Sequence, residues 1–242
     1  MMDRKKSKTG YVQVKDAALF YQIRGKGFPV VLLHGNRQNQ HIFSRQIRFF
    51  EKNYQVISID SRGHGRSGLG KTVLDFTRLA QDVIAVLGEL KIKQTIIFGF
   101  SDGANTALKL AMDYPQRVVA IVAVSANLQP KELKNWVQGL INLEYRFWML
   151  LGALHFKVRR QKQLSALMAA QPKFLEQQLK NINVPTLIAA GTHDIMPVNH
   201  TRYIAQVIPG AQLSLVKCKG HLSVLRKMQM DEVEAFLGQV KK

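Results

Sequence analysis

Residues 95–108 read TIIFGFSDGANTAL, an apolar β-branched run that passes through a Gly-x-Ser-x-Gly motif into a helix-forming run. This motif indicates a catalytic serine when it lies on a sharp turn between a strand and a helix, and the sequence here predicts that order. Gly99 and Gly103 leave room for the turn because they have no Cβ atom, and the turn holds Ser101 in a strained conformation at a helix N-terminus. We therefore predict that Ser101 is a nucleophile. A glycine-rich turn with a solvated serine is the alternative.

Continuous apolar runs and amphipathic helical patterns alternate on both sides of this stretch. Such runs are typical of parallel strands buried on both faces, and their alternation with helices predicts a mostly parallel sheet covered on both sides. A β-hairpin at 11–24 precedes them, and residues 1–9 form a basic tail. The predicted core is 10–127 and 182–242, with strands at 28–33, 54–59, 95–100, 118–124, 184–191 and 212–216 and helices at 41–52, 75–90, 104–112, 201–207 and 225–240.

Residues 128–181 interrupt this alternation, since they contain no clear buried strand and are predicted to be helical. Their aromatic and apolar part could reach the length of a membrane span, but Glu144 and Arg146 lie at its middle. We predict a helical cap whose inner face forms an apolar pocket with Trp136, Phe147 and Trp148 as substrate-binding residues. A core helix pair without a ligand role, and a peripheral contact of this segment with an anionic membrane surface, remain open.

The amino-acid composition and the net charge narrow the classes of protein to which this chain can belong. The 242 residues are 46% hydrophobic, enough for one core with a small insertion, and the single cysteine, Cys218, excludes a disulfide framework and a cysteine-based zinc site. The basic N-terminus is not followed by an apolar segment, so we expect no signal peptide and a cytoplasmic protein. The net charge is +19, but no nucleic-acid motif accompanies it, and we do not expect a nucleic-acid partner. The oligomeric state stays open.

Polar residues follow several predicted strands, where ligands bind in sheets of this kind. A serine hydroxyl needs a base, and His221 follows the last strand after Gly220. Asp194 follows the strand before it and could orient the base, although an aspartate there could instead cap the next helix. The chain order serine, aspartate, histidine matches one of the known arrangements of this triad. The rivals of His221 are His34, His41, His64, His155, His193 and His200.

An oxyanion would need backbone N–H donors beside the serine. We predict the N–H of Asp102, directly after Ser101, and the N–H of Asn36, in the loop after the strand that ends at His34 and Gly35.

Five motifs together make the chain resemble the α/β-hydrolase superfamily over about residues 10–240: His-Gly at 34–35, DSRGHGRS at 60–67, GFSDG at 99–103, GTHD at 191–194 and Gly-His at 220–221. The resemblance implies an α/β-hydrolase fold, with a mostly parallel eight-stranded sheet flanked by helices and a small helical cap before the last two strands. It also implies a serine hydrolase that cleaves a small carboxylic ester through an acyl-enzyme, without metal or cofactor. Other activities of the same fold remain alternatives, namely those of a thioesterase, amidase, C–C hydrolase, lipase or acyltransferase. A non-catalytic binding module on this fold is a further alternative.

The aspartate after the serine, Asp102, makes the chain similar to the biphenyl-hydrolase-like group, which includes an α-amino-acid ester hydrolase, valacyclovir hydrolase. That likeness implies that Asp102 holds a substrate ammonium group. The alternative is that Asp102 pairs with a neighbouring lysine or arginine of this basic chain.

Overall fold

A computed structural model describes residues 7–151 and 156–240 of the chain. Three segments lie outside the described part: residues 1–6 of the predicted tail, cap residues 152–155 with His155, and residues 241–242. Within it the strands are β1 (Lys8–Val14), β2 (Ala17–Arg24), β3 (Phe28–Leu33), β4 (Tyr54–Ile59), β5 (Thr95–Phe100), β6 (Val118–Val124), β7 (Thr186–His193) and β8 (Gln212–Lys219).

These strands form one sheet in the order β1-β2-β4-β3-β5-β6-β7-β8. Strand β2 pairs antiparallel with β1 and β4, and the pairs from β4 to β8 are parallel. The predicted mostly parallel eight-stranded sheet is confirmed. Strand β1 begins two residues inside the predicted tail because Lys8 and Thr9 pair with Ile23 and Gln22, and backbone pairing does not require apolar side chains.

The sheet is buried on both faces, which explains the continuous apolar runs. Successive strand residues point to opposite faces, so Ile97 joins one hydrophobic core and its neighbours Ile96 and Phe98 join the other. All three are fully buried. Strand β5, with β3 and β6 on its two sides, therefore holds the segment that follows it in a rigid position.

Helices cover both faces. The helices of the described residues are α1 (Ser44–Phe50), α2 (Phe76–Glu89), α3 (Asp102–Asp113), α4 (Asn135–Leu150), α5 (Phe156–Ala170), α6 (Glu176–Lys180), α7 (Val198–Val207), α8 (Ser223–Lys227) and α9 (Met230–Gly238). Helices α2, α3, α6 and α7 contribute to one core, and α1, α8 and α9 contribute to the other. The single helix predicted at 225–240 is two helices, because Met228 leaves the helical conformation with ψ 132°.

The described residues between β6 and β7 hold α4, α5, α6 and a 3₁₀ turn at Pro130–Glu132, and no strand. We call α4 and α5 the cap helices. Helix α4 packs through Val137 and Ile141 on Leu133 and Met196. No helix in the described ranges is long and apolar enough to cross a membrane.

Candidate active site

The turn between β5 and α3 has the geometry that the glycine-containing motif predicts. Ser101 has φ 55° and ψ −120°, in the left-handed region that side chains disfavour, and α3 begins at the next residue. A Cβ atom on Gly99 would overlap the carbonyl oxygen of Gly103, and a Cβ atom on Gly103 would overlap that of Leu33. The two glycines therefore allow the backbone to turn sharply at the C-terminal edge of the sheet.

This geometry predicts a large stability effect. We expect Gly103→Ala to lower the free energy of unfolding by about 3 kcal/mol or more, because the new methyl group would meet buried backbone and not a side chain that can move aside. Gly88→Ala is the matched control: Gly88 is exposed in α2 with open space around its Cβ position. Alanine there should stabilise the protein by up to about 1 kcal/mol. Urea unfolding of both variants measures the difference, and equal midpoints would contradict the account of the turn.

Strands β7 and β8 bring the predicted base and its carboxylate together. Asp194 directly follows β7, and His221 follows β8 after Gly220, whose φ of 83° suits glycine. The His221 Nδ1 atom lies 2.6 Å from Asp194 Oδ1. The sequence alternative for Asp194 was a helix cap, but α7 begins after Pro197 and has no side-chain cap.

Asp194 is held by three hydrogen bonds. Besides His221, the Ser125 hydroxyl donates to Oδ2 at 2.5 Å and the Ile195 N–H donates to Oδ1 at 2.6 Å. Burial would raise the pKa of this carboxyl group, but the hydrogen bond and charge of His221 and the two other donors outweigh burial, and the pKa is lowered. Asp194 is therefore an ionised acceptor near neutral pH. Ser125 follows β6 directly, and no local sequence pattern distinguishes it from the other polar residues at strand ends.

His221 and Ser101 share a neighbour, Phe100. The His221 ring lies with its centroid 4.6 Å from that of the Phe100 ring, and Phe100 directly precedes Ser101. Among the described residues no hydrogen bond joins the Ser101 hydroxyl to the His221 ring. Hydrogen bonds of this kind are often long in unliganded sites and tighten when substrate binds.

Three of the described rival histidines, His34, His64 and His200, are buried. Burial lowers the pKa of His34 and His200, and it lowers the pKa of His64 to about 3, so these rings are neutral near pH 7. The ring of His34 accepts a hydrogen bond from the Ser61 N–H at 3.0 Å and contacts the Gly35 carbonyl at 2.7 Å. Within the described ranges, His221 is the histidine that contacts a carboxylate at the end of β7.

The loop after β3 lies against Ser101. A Cβ atom on Gly35 would come within 2.9 Å of the Ser101 Cβ atom, so only a residue without a side chain allows this approach. In the described part of the chain, the backbone N–H groups of Asn36 and Asp102 donate to no protein group. These N–H groups belong to the residues that follow Gly35 and Ser101, and both are thus available to a ligand. The Asn36 side chain donates to Asp102 Oδ2 at 2.9 Å and to the Leu164 carbonyl at 3.2 Å.

Asp102 carries an unusual carboxyl group. The residue keeps some exposure to solvent, but the protein around its carboxyl group removes much of the water, and this desolvation raises the pKa to about 6. The Asn36 hydrogen bond and the His221 charge act in the opposite direction and lower the pKa less. The expected alternative, a pair with lysine or arginine, is absent among the described residues, since the hydrogen-bond partner of the carboxylate is the neutral amide of Asn36.

The DSRGHGRS motif builds the loop behind His34. Asp60 accepts hydrogen bonds from the Gln40 N–H at 2.9 Å and the Arg66 N–H at 3.0 Å. Arg62 is fully buried, forms a two-bond pair with Asp82 at 2.7 Å for each bond, and contacts Asp16. These charged groups are satisfied inside the protein, and they fix the loop that supports His34.

Arg37 connects the cap helices to the loop that contains Asn36. Its guanidinium group contacts Glu144 of α4 at 2.5 Å and the Ser165 hydroxyl of α5 at 2.7 Å. Trp148 also donates to Glu144, at 2.9 Å, and thus lies near this connection.

Trp136 and Phe147 do not fit the predicted apolar pocket. They are 64% and 52% exposed, on the side of α4 that points away from its buried residues Val137 and Ile141. Helical periodicity marked an apolar helix but could not show which of its apolar residues face the core. Two cavities of about 670 and 600 Å³ beside the cap include neither Ser101 nor His221.

The described residues contain no group of three or more histidine, cysteine, aspartate and glutamate side chains that could hold a metal ion.

Comparison with known proteins shows the family of this chain. Residues 29–170, more than half of the chain, match the family described as the alpha/beta hydrolase fold. The chain therefore belongs to this family. It is 25% identical to 3-oxoadipate enol-lactonase 2 of Acinetobacter baylyi, over 89% of this chain and 90% of that protein.

Two solved structures are also similar. An N-acyl homoserine lactone degrading enzyme superposes with a TM-score of 0.76 at 28% identity, covering 96% of this chain and 100% of the other. The enol-lactonase of Burkholderia xenovorans superposes with a TM-score of 0.80 at 22% identity, covering 95% and 100%, and supports the fold. Family membership and these relatives support hydrolase activity.

Proposed function

We propose that this protein is a serine hydrolase that cleaves small carboxylic esters through an acyl-enzyme. The observation that carries the proposal is the 2.6 Å hydrogen bond between His221 and the ionised Asp194, next to the strained turn at Ser101. A carboxylate acceptor keeps the proton of His221 on Nδ1, so that the lone pair of Nε2 is free to accept a proton.

In the proposed reaction, Ser101 Oγ attacks the ester carbonyl carbon as His221 Nε2 removes the hydroxyl proton. The N–H groups of Asn36 and Asp102 stabilise the negative carbonyl oxygen of the tetrahedral intermediate. The intermediate collapses when the C–O bond to the leaving alcohol breaks and His221 returns the proton to that oxygen. Water then attacks the acyl-enzyme by the same sequence and releases the acid.

A panel of p-nitrophenyl esters of increasing acyl length, with simple lactones beside it, tests the substrate class. Lactones belong in the panel because the names of two similar proteins refer to them. The proposal expects the highest kcat/KM for short acyl chains. No hydrolysis of any ester, with hydrolysis of thioesters or amides, would favour another chemistry of this fold, and product formation that requires an alcohol acceptor would indicate acyl transfer.

We further propose that Asp102 favours esters with a cation next to the acyl carbon. Its carboxyl group belongs to the residue next to the serine, burial raises its pKa to about 6, and no described lysine or arginine pairs with it. The group is therefore mostly neutral at pH 5 and mostly negative at pH 7. The amino group of an α-amino ester stays largely protonated up to about pH 7, so the attraction should appear as the pH rises from 5 to 7.

The measurement is the ratio of kcat/KM for matched esters with and without an α-amino group, because the ratio cancels every effect of pH that the two esters share. We expect the ratio to rise about tenfold between pH 5 and 7 in the wild type. In Asp102→Asn it should stay low and flat, since this variant keeps the backbone N–H and an oxygen acceptor for Asn36. A ratio that does not change with pH, or that is the same in the variant, would exclude this role of Asp102.

A further inference from the structure

The exposed side of α4 carries a row of large apolar side chains. Counting along the helix, their spacing of four, three, four and three residues places them on one stripe. Each is more than half exposed, from 52% at Phe147 to 88% at Leu150. We call this stripe the α4 ridge; it consists of Trp136, Leu140, Leu143, Phe147 and Leu150.

The α4 ridge is not the side of the cap that packs on the core. Val137 and Ile141 face the core and are buried against Leu133 and Met196. Glu144 fixes the helix to Arg37 at 2.5 Å. The helix is thus held by its other side, and the ridge stays uncovered within the described structure.

The segment of the chain that carries the α4 ridge is basic. Residues 131–180 contain nine lysine and arginine residues and three acidic residues. Two of the acidic residues are paired with cations, Glu144 with Arg37 and Glu176 with Lys180. Arg146 is exposed next to the ridge. A second copy of this chain, with net charge +19, would bring positive charge against positive charge.

We propose that the α4 ridge docks on a membrane surface rich in anionic lipid headgroups. An amphipathic helix with aromatic and leucine residues on one side and basic residues around it binds in the plane of such an interface. Basic side chains near the surface add attraction that weakens with salt. Helix α4 has 16 residues with Glu144 and Arg146 near its middle, which suits a position in this plane. Docking of the ridge is independent of the proposed ester hydrolysis.

Vesicle co-sedimentation tests the docking. The full chain is mixed with phosphatidylcholine vesicles with or without phosphatidylglycerol, at low and at physiological salt. We expect binding to the anionic vesicles that is at least tenfold tighter than to the neutral ones and weaker at higher salt. Leu143→Ser combined with Leu150→Ser should weaken it at least tenfold. Val73→Ser removes an equally exposed apolar residue outside the ridge and should leave binding unchanged.

Tryptophan fluorescence locates the contact. The chain has two tryptophans, Trp136 on the ridge and Trp148 beside Glu144. In Trp148→Phe, the emission of Trp136 should move to shorter wavelength when anionic vesicles are added. In Trp136→Phe, the emission of Trp148 should stay nearly unchanged. Equal shifts in the two variants would overturn the assignment to the ridge.

The outcomes separate docking from catalysis. Ser101→Ala should bind vesicles like the wild type, and the ridge and Val73 variants should hydrolyse a soluble short-chain ester at the wild-type rate. No vesicle binding would overturn the proposal, as would binding that is equal for neutral and anionic lipid or unchanged in the ridge variants. A dimer in sedimentation velocity that the ridge variants abolish, without vesicle binding, would assign the ridge to self-association instead.

Discussion

Replacing Ser101 with alanine is expected to lower kcat for short-chain ester hydrolysis by about 10⁶-fold, to near the limit of detection. The reason is that the attacking oxygen is removed, while the N–H donors and the binding site remain. The serine sits in a strained conformation at the start of α3, with φ 55°, an arrangement that stable folding alone does not require. Initial rates with a p-nitrophenyl ester at saturating concentration measure the loss.

The control for this variant is its stability. Alanine keeps the Cβ atom, so the urea midpoint should stay close to that of the wild type. A folded Ser101→Ala protein that retains more than about 1% of kcat would contradict a nucleophilic role for Ser101, because no other group could replace a covalent step at that rate.

Replacing Asp194 with asparagine is expected to lower kcat by about 10⁴-fold, as the loss of this carboxylate does in other serine triads. An asparagine amide can donate to His221 Nδ1, which would shift the ring proton to Nε2 and leave no lone pair for the serine proton. The buried carboxylate now accepts from His221, Ser125 and Ile195, so the ring has one favoured tautomer.

Ser125→Ala is the graded comparison for this prediction. It removes the 2.5 Å hydrogen bond to Asp194 Oδ2 but keeps the carboxylate, and we expect a loss in kcat of about tenfold. Ordinary kcat and KM measurements at several pH values distinguish the two variants. If Asp194→Asn and Ser125→Ala lost activity equally, or if Asp194→Asn kept most of its activity, the carboxylate would not be what orients His221.

Most of the fold could be predicted from the sequence because strands that are buried on both faces appear as continuous runs of apolar residues. Strands β3, β4 and β6 begin and end where their apolar runs do. The turn at Ser101 was predictable because only glycine fits at positions 99 and 103. Family membership confirms the fold that these motifs implied.

The parts that the sequence could not give depend on contacts between distant segments. Nothing local indicates that Ser125 would meet Asp194, or that Arg37 would fasten the cap helices. The apolar residues of α4 occupy both a buried side and the exposed ridge, and periodicity alone does not say what covers each side. The pattern alone therefore predicts Trp136 and Phe147 in a pocket, although they lie on the exposed ridge.

The most direct test of the account is the intact mass of the protein after reaction with a fluorophosphonate, followed by peptide mapping. If Ser101 is the nucleophile and His221 its base, we expect one adduct for each chain, located on Ser101, absent in Ser101→Ala and formed far more slowly in a His221→Ala variant. Folded wild-type protein that takes up no label, or labelling that persists in Ser101→Ala, would contradict it.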